Sequence, residues 1–242
     1  MYLLFDYDNI DDRDLRFGVE RIVLAVLDGM GTSGMQRLQR SEVRIYGGWF
    51  RGPNRSRLAQ DLVRQLAGSF TAPFVFGSAN SPEVTVTVRA SLADGLIALP
   101  GRDFIDTYRE QAVETNKWRQ VVAPYRACAA PGSCSLRAVA DVLSSMSCPV
   151  PSCAVRLPHV LTRGEQKLVD TMLVADMAEI ARQKAGPIVL LSSDDDIWPG
   201  VVAAVTLGTH VHHFQSRSRV APAHYSALVP RALYSQYVLK VV

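Results

Sequence analysis

A chain of 242 residues, 48% of them hydrophobic, is long and apolar enough for one α/β domain with a sizeable core, which excludes a disordered chain. Its net charge of +3 does not by itself indicate nucleic acid. No apolar run approaches the roughly 18 residues of a membrane span, so no membrane partner is expected.

The opening segment, MYLLFDYDNI, has no basic stretch ahead of its short apolar run. It does not resemble a signal peptide, and a cytoplasmic location is expected. Residues 2–6 (YLLFD) predict a short buried strand that runs into acids. Residues 17–30 predict a helix, with Gly29 and Gly31 near its end. VRIYGGWF (43–50) predicts a second strand, RGPNRS a basic turn, and RLAQDLVRQLAG (57–68) an amphipathic helix. VTVTVRA (84–90) alternates at period two and predicts a strand.

Residues 100–160 lack a regular pattern and suggest an irregular, strand-poor insertion within a single domain spanning 1–242. Beyond it, Thr162 and Glu165 have the spacing of a capping box, ahead of a helix expected to reach Gln183. IVLLSS (188–193) predicts a buried strand. Pro199 suits the first position of a further helix, and HVHHF (210–214) predicts another strand. Alternating strands and helices imply a parallel sheet covered by helices.

Two apolar strands end in acids, LLFDYDN with Asp6, Asp8 and Asn9, and LLSSDDD with Asp194, Asp195 and Asp196. Ligands bind at the carboxyl ends of strands in open parallel sheets. If the two strands are neighbours, their carboxylates converge and repel, and a divalent cation removes the conflict. Single Asp clusters are often only helix caps. Two clusters at equivalent strand ends favour a site. A third acid, Asp170, falls on the apolar stripe of Leu173, Val174, Met177, Ile180 and Ala181 when about 100° is allowed per residue. An acid there is costly unless paired or bound to metal. Lys167, three positions earlier, is a candidate helical partner. Asp176, at the stripe's edge, is expected to touch solvent.

This pattern resembles the NYN domain family, PIN-like nucleases of the LabA type. The resemblance rests on an opening strand with Asp6 and Asn9, a Lys-x-x-Asp element at Lys167 and Asp170, and a strand leading to Ser192, Ser193, Asp194, Asp196, Ile197 and Pro199. Ser193 stands where the family usually has Gly, and Ile197 where it usually has Phe. It covers residues 1–10 and 162–215. It implies a three-layer, Rossmann-like α/β fold and a Mg²⁺- or Mn²⁺-dependent endoribonuclease. Asp6, Asp170, Asp194 and Asp196 would be the catalytic, metal-holding acids, with Asn9, Ser192 and Ser193 orienting substrate. The ion would supply an activated water and stabilise charge on the phosphate.

Two other readings compete. A haloacid-dehalogenase-like phosphatase also opens with Asp-x-Asp, but Lys167 precedes the Ser192 strand, which is the wrong order. A non-catalytic NYN-type RNA-binding or regulatory module would keep the fold without the chemistry.

Of the 26 basic residues only four are Lys. A GC-rich genome inflates Arg, but Arg also suits phosphate. Arg51, Arg55 and Arg57 beside Trp49 and Phe50 form a candidate single-stranded RNA contact, alongside the plainer reading of a solvated loop. Cys128, Cys134, Cys148 and Cys153 are spaced C-x5-C-x13-C-x4-C, looser than usual zinc pairs. A structural zinc and four buried thiols are the two readings. Alternation puts His210 and His212 on one strand face and His213 on the other, with no metal assigned.

Overall fold

The computed structural model describes residues 1–31, 38–77, 83–112, 129–130, 133–216, 225 and 227–241. The chain divides into two compact units, one formed by Met1–Tyr108 with Gln166–Val242 and one by Arg109–Glu165.

The first unit is built on a seven-stranded sheet. Its strands are β1 (Tyr2–Asp6), β2 (Leu38–Tyr46), β5 (Phe74–Phe76), β6 (Val84–Leu92), β9 (Ile188–Leu191), β10 (Val211–Gln215) and β11 (Tyr234–Val238). They lie in the order β11-β10-β9-β1-β2-β6-β5. Every pairing is parallel except that of the edge strand β5 with β6. Helices α2 (Val19–Met30), α3 (Arg57–Gly68), α5 (Val169–Arg182) and α6 (Trp198–Thr206) flank it. The protein is therefore a mixed α/β protein with a mostly parallel central sheet. Among the described residues, no helix is long and apolar enough to cross a membrane.

The period-two alternation of β1 sorts the core into two layers. Leu3 and Phe5 pack with the α2 residues Ile22, Val23, Val26 and Leu27 and with Leu62 of α3. Leu4, between them, packs with Leu173, Met177 and Ile180 of α5 and Val201 of α6. Alternation puts Asp6 on the Leu4 side, facing α5 and α6. Tyr46, its neighbour in register on β2, belongs to the same layer. The strand order reverses between β1, which ends at Asp6, and β9, which leads through two serines to Asp194.

Several expectations need correction. β2 starts earlier than expected and stops at Tyr46, because Gly47 and Gly48 break it. A Cβ on Gly47 would lie 2.6 Å from the Trp49 ring and 2.9 Å from Asp8 Oδ2, so no larger residue fits. The basic turn is a small hairpin of β3 (Phe50–Arg51) and β4 (Asn54–Arg55), followed by Ser56, which caps α3. Residues 162–166 are not a helix cap but strand β8 (Thr162–Gln166), in a two-stranded sheet with β7 (Tyr108–Ala112). α5 begins only after Leu168, whose φ of 68° makes the sharp entry. Lys167 thus lies outside that helix. Pro199 is the second residue of α6, after Trp198. A short helix, α1 (Asp12–Leu15), and the strands β5 and β11 had no clear sequence signal.

Within the second unit, the supposedly irregular stretch holds an 11-residue helix, α4 (Ser135–Ser145), ended by Met146 at φ 58°. Cys134 is its N-cap residue, while Cys148 and Cys153 follow it outside any helix or strand; none of the three is in a disulfide. Cys128 lies outside the described residues. Among the described residues, these cysteines join no group of three metal-ligating side chains.

Candidate metal centre

β1 delivers Asp6 to the carboxyl edge of the sheet, and a 3₁₀ turn, Tyr7–Asn9, follows at once. Residues three apart eclipse in such a turn, and the Asn9 amide accordingly donates to Asp6 Oδ2 at 3.0 Å. Ser192, one residue past β9, donates from Oγ to the same oxygen at 2.5 Å. The Asp6 carboxyl is fully buried, and its other oxygen, Oδ1, has no hydrogen-bond partner among the described residues. Burial pushes its pKa up to about 7 against these two donors, and the charges of Asp170 and Asp8 push the same way.

The chain between β9 and α6 supplies the next acids. Ser192 Oγ accepts the Asp194 N–H at 3.1 Å, and Asp194 Oδ1 accepts the Asp196 N–H at 3.0 Å. Asp170 arrives from the first turn of α5, and its pKa is raised by burial and then by Asp194 and Asp196. One carboxylate oxygen from each of Asp170, Asp194 and Asp196 lies within 4.8 Å of the others.

The plain alternative was that such acids cap helices. The N-cap residues of α5 and α6 are Leu168 and Ile197, and neither helix has a side-chain cap. The carboxylates stand near two helix N-termini, whose dipoles ease their charge, without being committed as caps. All-oxygen donors of this kind suit a hard divalent cation such as Mg²⁺ or Mn²⁺, and the unpartnered Asp6 oxygen fits the same need for a cation or a proton.

The structure thus brings Asp170, Asp194 and Asp196 together and sets Asp6 beside Asp170 as a buried acid held by Asn9 and Ser192. Ser193 turns elsewhere: its Oγ accepts the Ser216 N–H at 3.1 Å. It ties β9 to the end of β10 rather than facing the acids. Asp8 belongs to the group although sequence reasoning did not number it among the site residues. Its Oδ2 accepts the Gly48 N–H at 3.1 Å, and desolvation and the Asp170 charge raise its pKa. The residue is open to solvent overall, yet its carboxyl end rests against the glycine pair. The signal available was Gly47-Gly48 at a strand end, which lets backbone approach a carboxylate.

His213 supports the acid loop from behind. Fully buried, it donates from Nε2 to the Ser192 carbonyl at 3.0 Å and accepts the Tyr234 hydroxyl at Nδ1 at 2.9 Å. Burial lowers its pKa to about 4, which keeps the ring neutral. His210 and His212 stack on the other face, with ring centroids 4.3 Å apart.

Of the three arginines, Arg55 forms an ion pair with Asp94 and lies 5.7 Å from the Phe50 ring centroid. Arg51 and Arg57 are exposed. All three follow the carboxyl end of β2, on the edge that carries the acids.

Compared with known proteins, the chain matches no family model and no solved structure. A stretch of 59 residues is 44% identical to an uncharacterized protein, y4oD, of Sinorhizobium fredii (strain NBRC 101917 / NGR234). That match spans 24% of this chain and 28% of the relative.

Proposed function

We propose that the protein is a divalent-metal-dependent endoribonuclease with a PIN-like fold of the NYN type. The observation that carries this reading is the trio Asp170, Asp194 and Asp196, whose oxygens approach within 4.8 Å at the carboxyl edge of a parallel sheet. The strand order, 3-2-1-4-5-6 among the parallel strands, is that of doubly wound Rossmann-like sheets, where ligands bind beside the reversal point. The trio stands at that point, between β1 and β9.

In this reading Asp170, Asp194 and Asp196 hold Mg²⁺ or Mn²⁺, with Asp6 and Asp8 in reserve behind them. When bound, the ion activates water and neutralises charge on the phosphate. Asn9 and Ser192 fix Asp6, Ser192 also fixes Asp194, and Asp6 with its raised pKa is placed to take or return a proton near neutral pH. Ser193 has a structural part, joining two strands. Arg51 of the hairpin and Arg57 at the start of α3 are the arginines proposed to contact an RNA backbone, while Arg55 holds the hairpin to Asp94.

The test is a cleavage assay on labelled single-stranded RNA with Mn²⁺, Mg²⁺ or EDTA, beside an Asp194→Asn variant. Cleavage should need the metal and fall by at least roughly 100-fold in the variant, the scale on which removal of a group that stabilises transition-state charge acts. Equal cleavage in EDTA, or by the variant, overturns the reading. Metal binding without cleavage would favour the non-catalytic module.

A further inference from the structure

β10 carries a buried histidine that takes no part in the chemistry above. By alternation Val211 and His213 share one face of the strand, and Val211 packs there with the apolar residues of α5 and α6. His213 puts an imidazole into the same layer, fully buried. Such a ring is costly there unless its nitrogens are satisfied. Both are, Nε2 by the Ser192 carbonyl at 3.0 Å and Nδ1 by the Tyr234 hydroxyl at 2.9 Å. A carbonyl only accepts, so the ring proton sits on Nε2, and Nδ1 accepts from Tyr234.

The carbonyl that His213 holds is the one at which the sheet stops. The Ser192 N–H still pairs with the Phe214 carbonyl at 3.1 Å, continuing the ladder of β9 and β10. The next donor along an evenly spaced parallel ladder would be the Ser216 N–H, but it goes to Ser193 Oγ. The His213 ring supplies the donor in its place. Every polar atom of Ser192 is then engaged, since its Oγ donates to Asp6 Oδ2 and accepts the Asp194 N–H. The rings of Trp198 and Tyr234 stand edge-on to His213, each with its centroid 6.1 Å away, and hold the imidazole in this orientation.

We propose that His213 is a positioning residue of the metal centre. Through the Ser192 carbonyl it sets the direction in which the chain leaves the sheet, and so where Asp194 presents its carboxylate, while Tyr234 fixes the ring. This assignment rests on the metal-binding reading of the acids. Groups that orient metal ligands without touching the ion change metal affinity by roughly 10- to 100-fold when removed.

Four variants test it, each measured for its Mn²⁺ Kd and, without metal, for hydrogen exchange at the Asp194 N–H. His213→Leu removes the donor at similar size, and His213→Gln keeps an N–H near the place of Nε2. Tyr234→Phe removes the hydroxyl that fixes the ring. Tyr237→Phe removes one from the same strand on the opposite face, where it meets His212. His213→Leu should weaken Mn²⁺ binding roughly tenfold, the lower end of the range because Ser192 intervenes, and should speed Asp194 exchange relative to the Leu190 amide. His213→Gln should recover most of both, Tyr234→Phe should show a smaller loss of both, and Tyr237→Phe none. Wild-type values in His213→Leu, no recovery in His213→Gln, or an equal loss in Tyr237→Phe overturn the proposal. If His213→Leu does not fold, the two tyrosine variants decide: a loss in Tyr234→Phe alone supports the role, and equal values overturn it. If the wild type binds no Mn²⁺, the metal reading falls, and the Asp194 exchange pattern across the same variants decides whether His213 positions the loop.

Discussion

Helix α5 carries two acids toward the same sheet layer, Asp170 and Asp176, in opposite circumstances. Asp176 is buried, yet its charge is answered: it accepts from the Tyr46 hydroxyl and the Ile97 N–H, each at 2.7 Å, and forms a 3.1 Å ion pair with Arg44. Asp170, at the helix start, is surrounded by Asp194, Asp196 and the buried Asp6. A buried charge with a full set of partners is architecture. The acids around Asp170 have hydrogen-bond donors but face one another's charge, which is why a metal is proposed there, and this contrast separates the two acids better than burial does.

The contrast can be broken by mutation. Asp176→Ala should cost about 3–5 kcal/mol in denaturant unfolding, because it leaves Arg44 without its carboxylate. Asp170→Ala should cost little, or stabilise the metal-free protein by removing a repelling charge. Equal costs at both positions would end the distinction.

A pH series on the metal-free protein sharpens it. The folded pKa of Asp6, about 7, lies above the ordinary carboxylate value of 3.8. Between these values the folded state holds a proton that the unfolded chain has released, so stability falls as pH rises from about 4 to about 7 and levels off above. The full span corresponds to at most about 4 kcal/mol. Asp6→Asn should flatten this slope, and an unchanged slope would place the burden on another group.

Metal gives the smallest of these effects. Mg²⁺ or Mn²⁺ at about 100 times its Kd should raise stability by about 2.7 kcal/mol. The gain should vanish in Asp170→Asn and leave the Asp176 network untouched. A full gain in that variant would remove Asp170 from the metal.

Much of this was legible in the sequence. The strands ending at Asp6 and Leu191 were marked by short apolar runs, and Asp170 by its position on an apolar helix stripe. Asp176 was not: the stripe put it at the boundary, but its partners Arg44 and Tyr46 come from β2, 130 residues or more away in the chain. Thr162 and Glu165 misled because capping spacing is local, whereas the backbone of that segment is paired with β7. Ser193 looked equivalent to Ser192 until alternation at the strand end sent the two hydroxyls to different neighbours. The strands β5 and β11 were missed because their burial is partial and their patterns short.

Asp6 and Ser192 touch although 186 residues separate them in the chain. Such distant pairing forms late, since the intervening loop must be ordered first. A nascent chain on the ribosome would therefore carry no assembled acid centre until Asp196 had been synthesised and released from the exit tunnel. If the protein cuts RNA as proposed, fragments that end before β9 would lack the acid centre and should be inert.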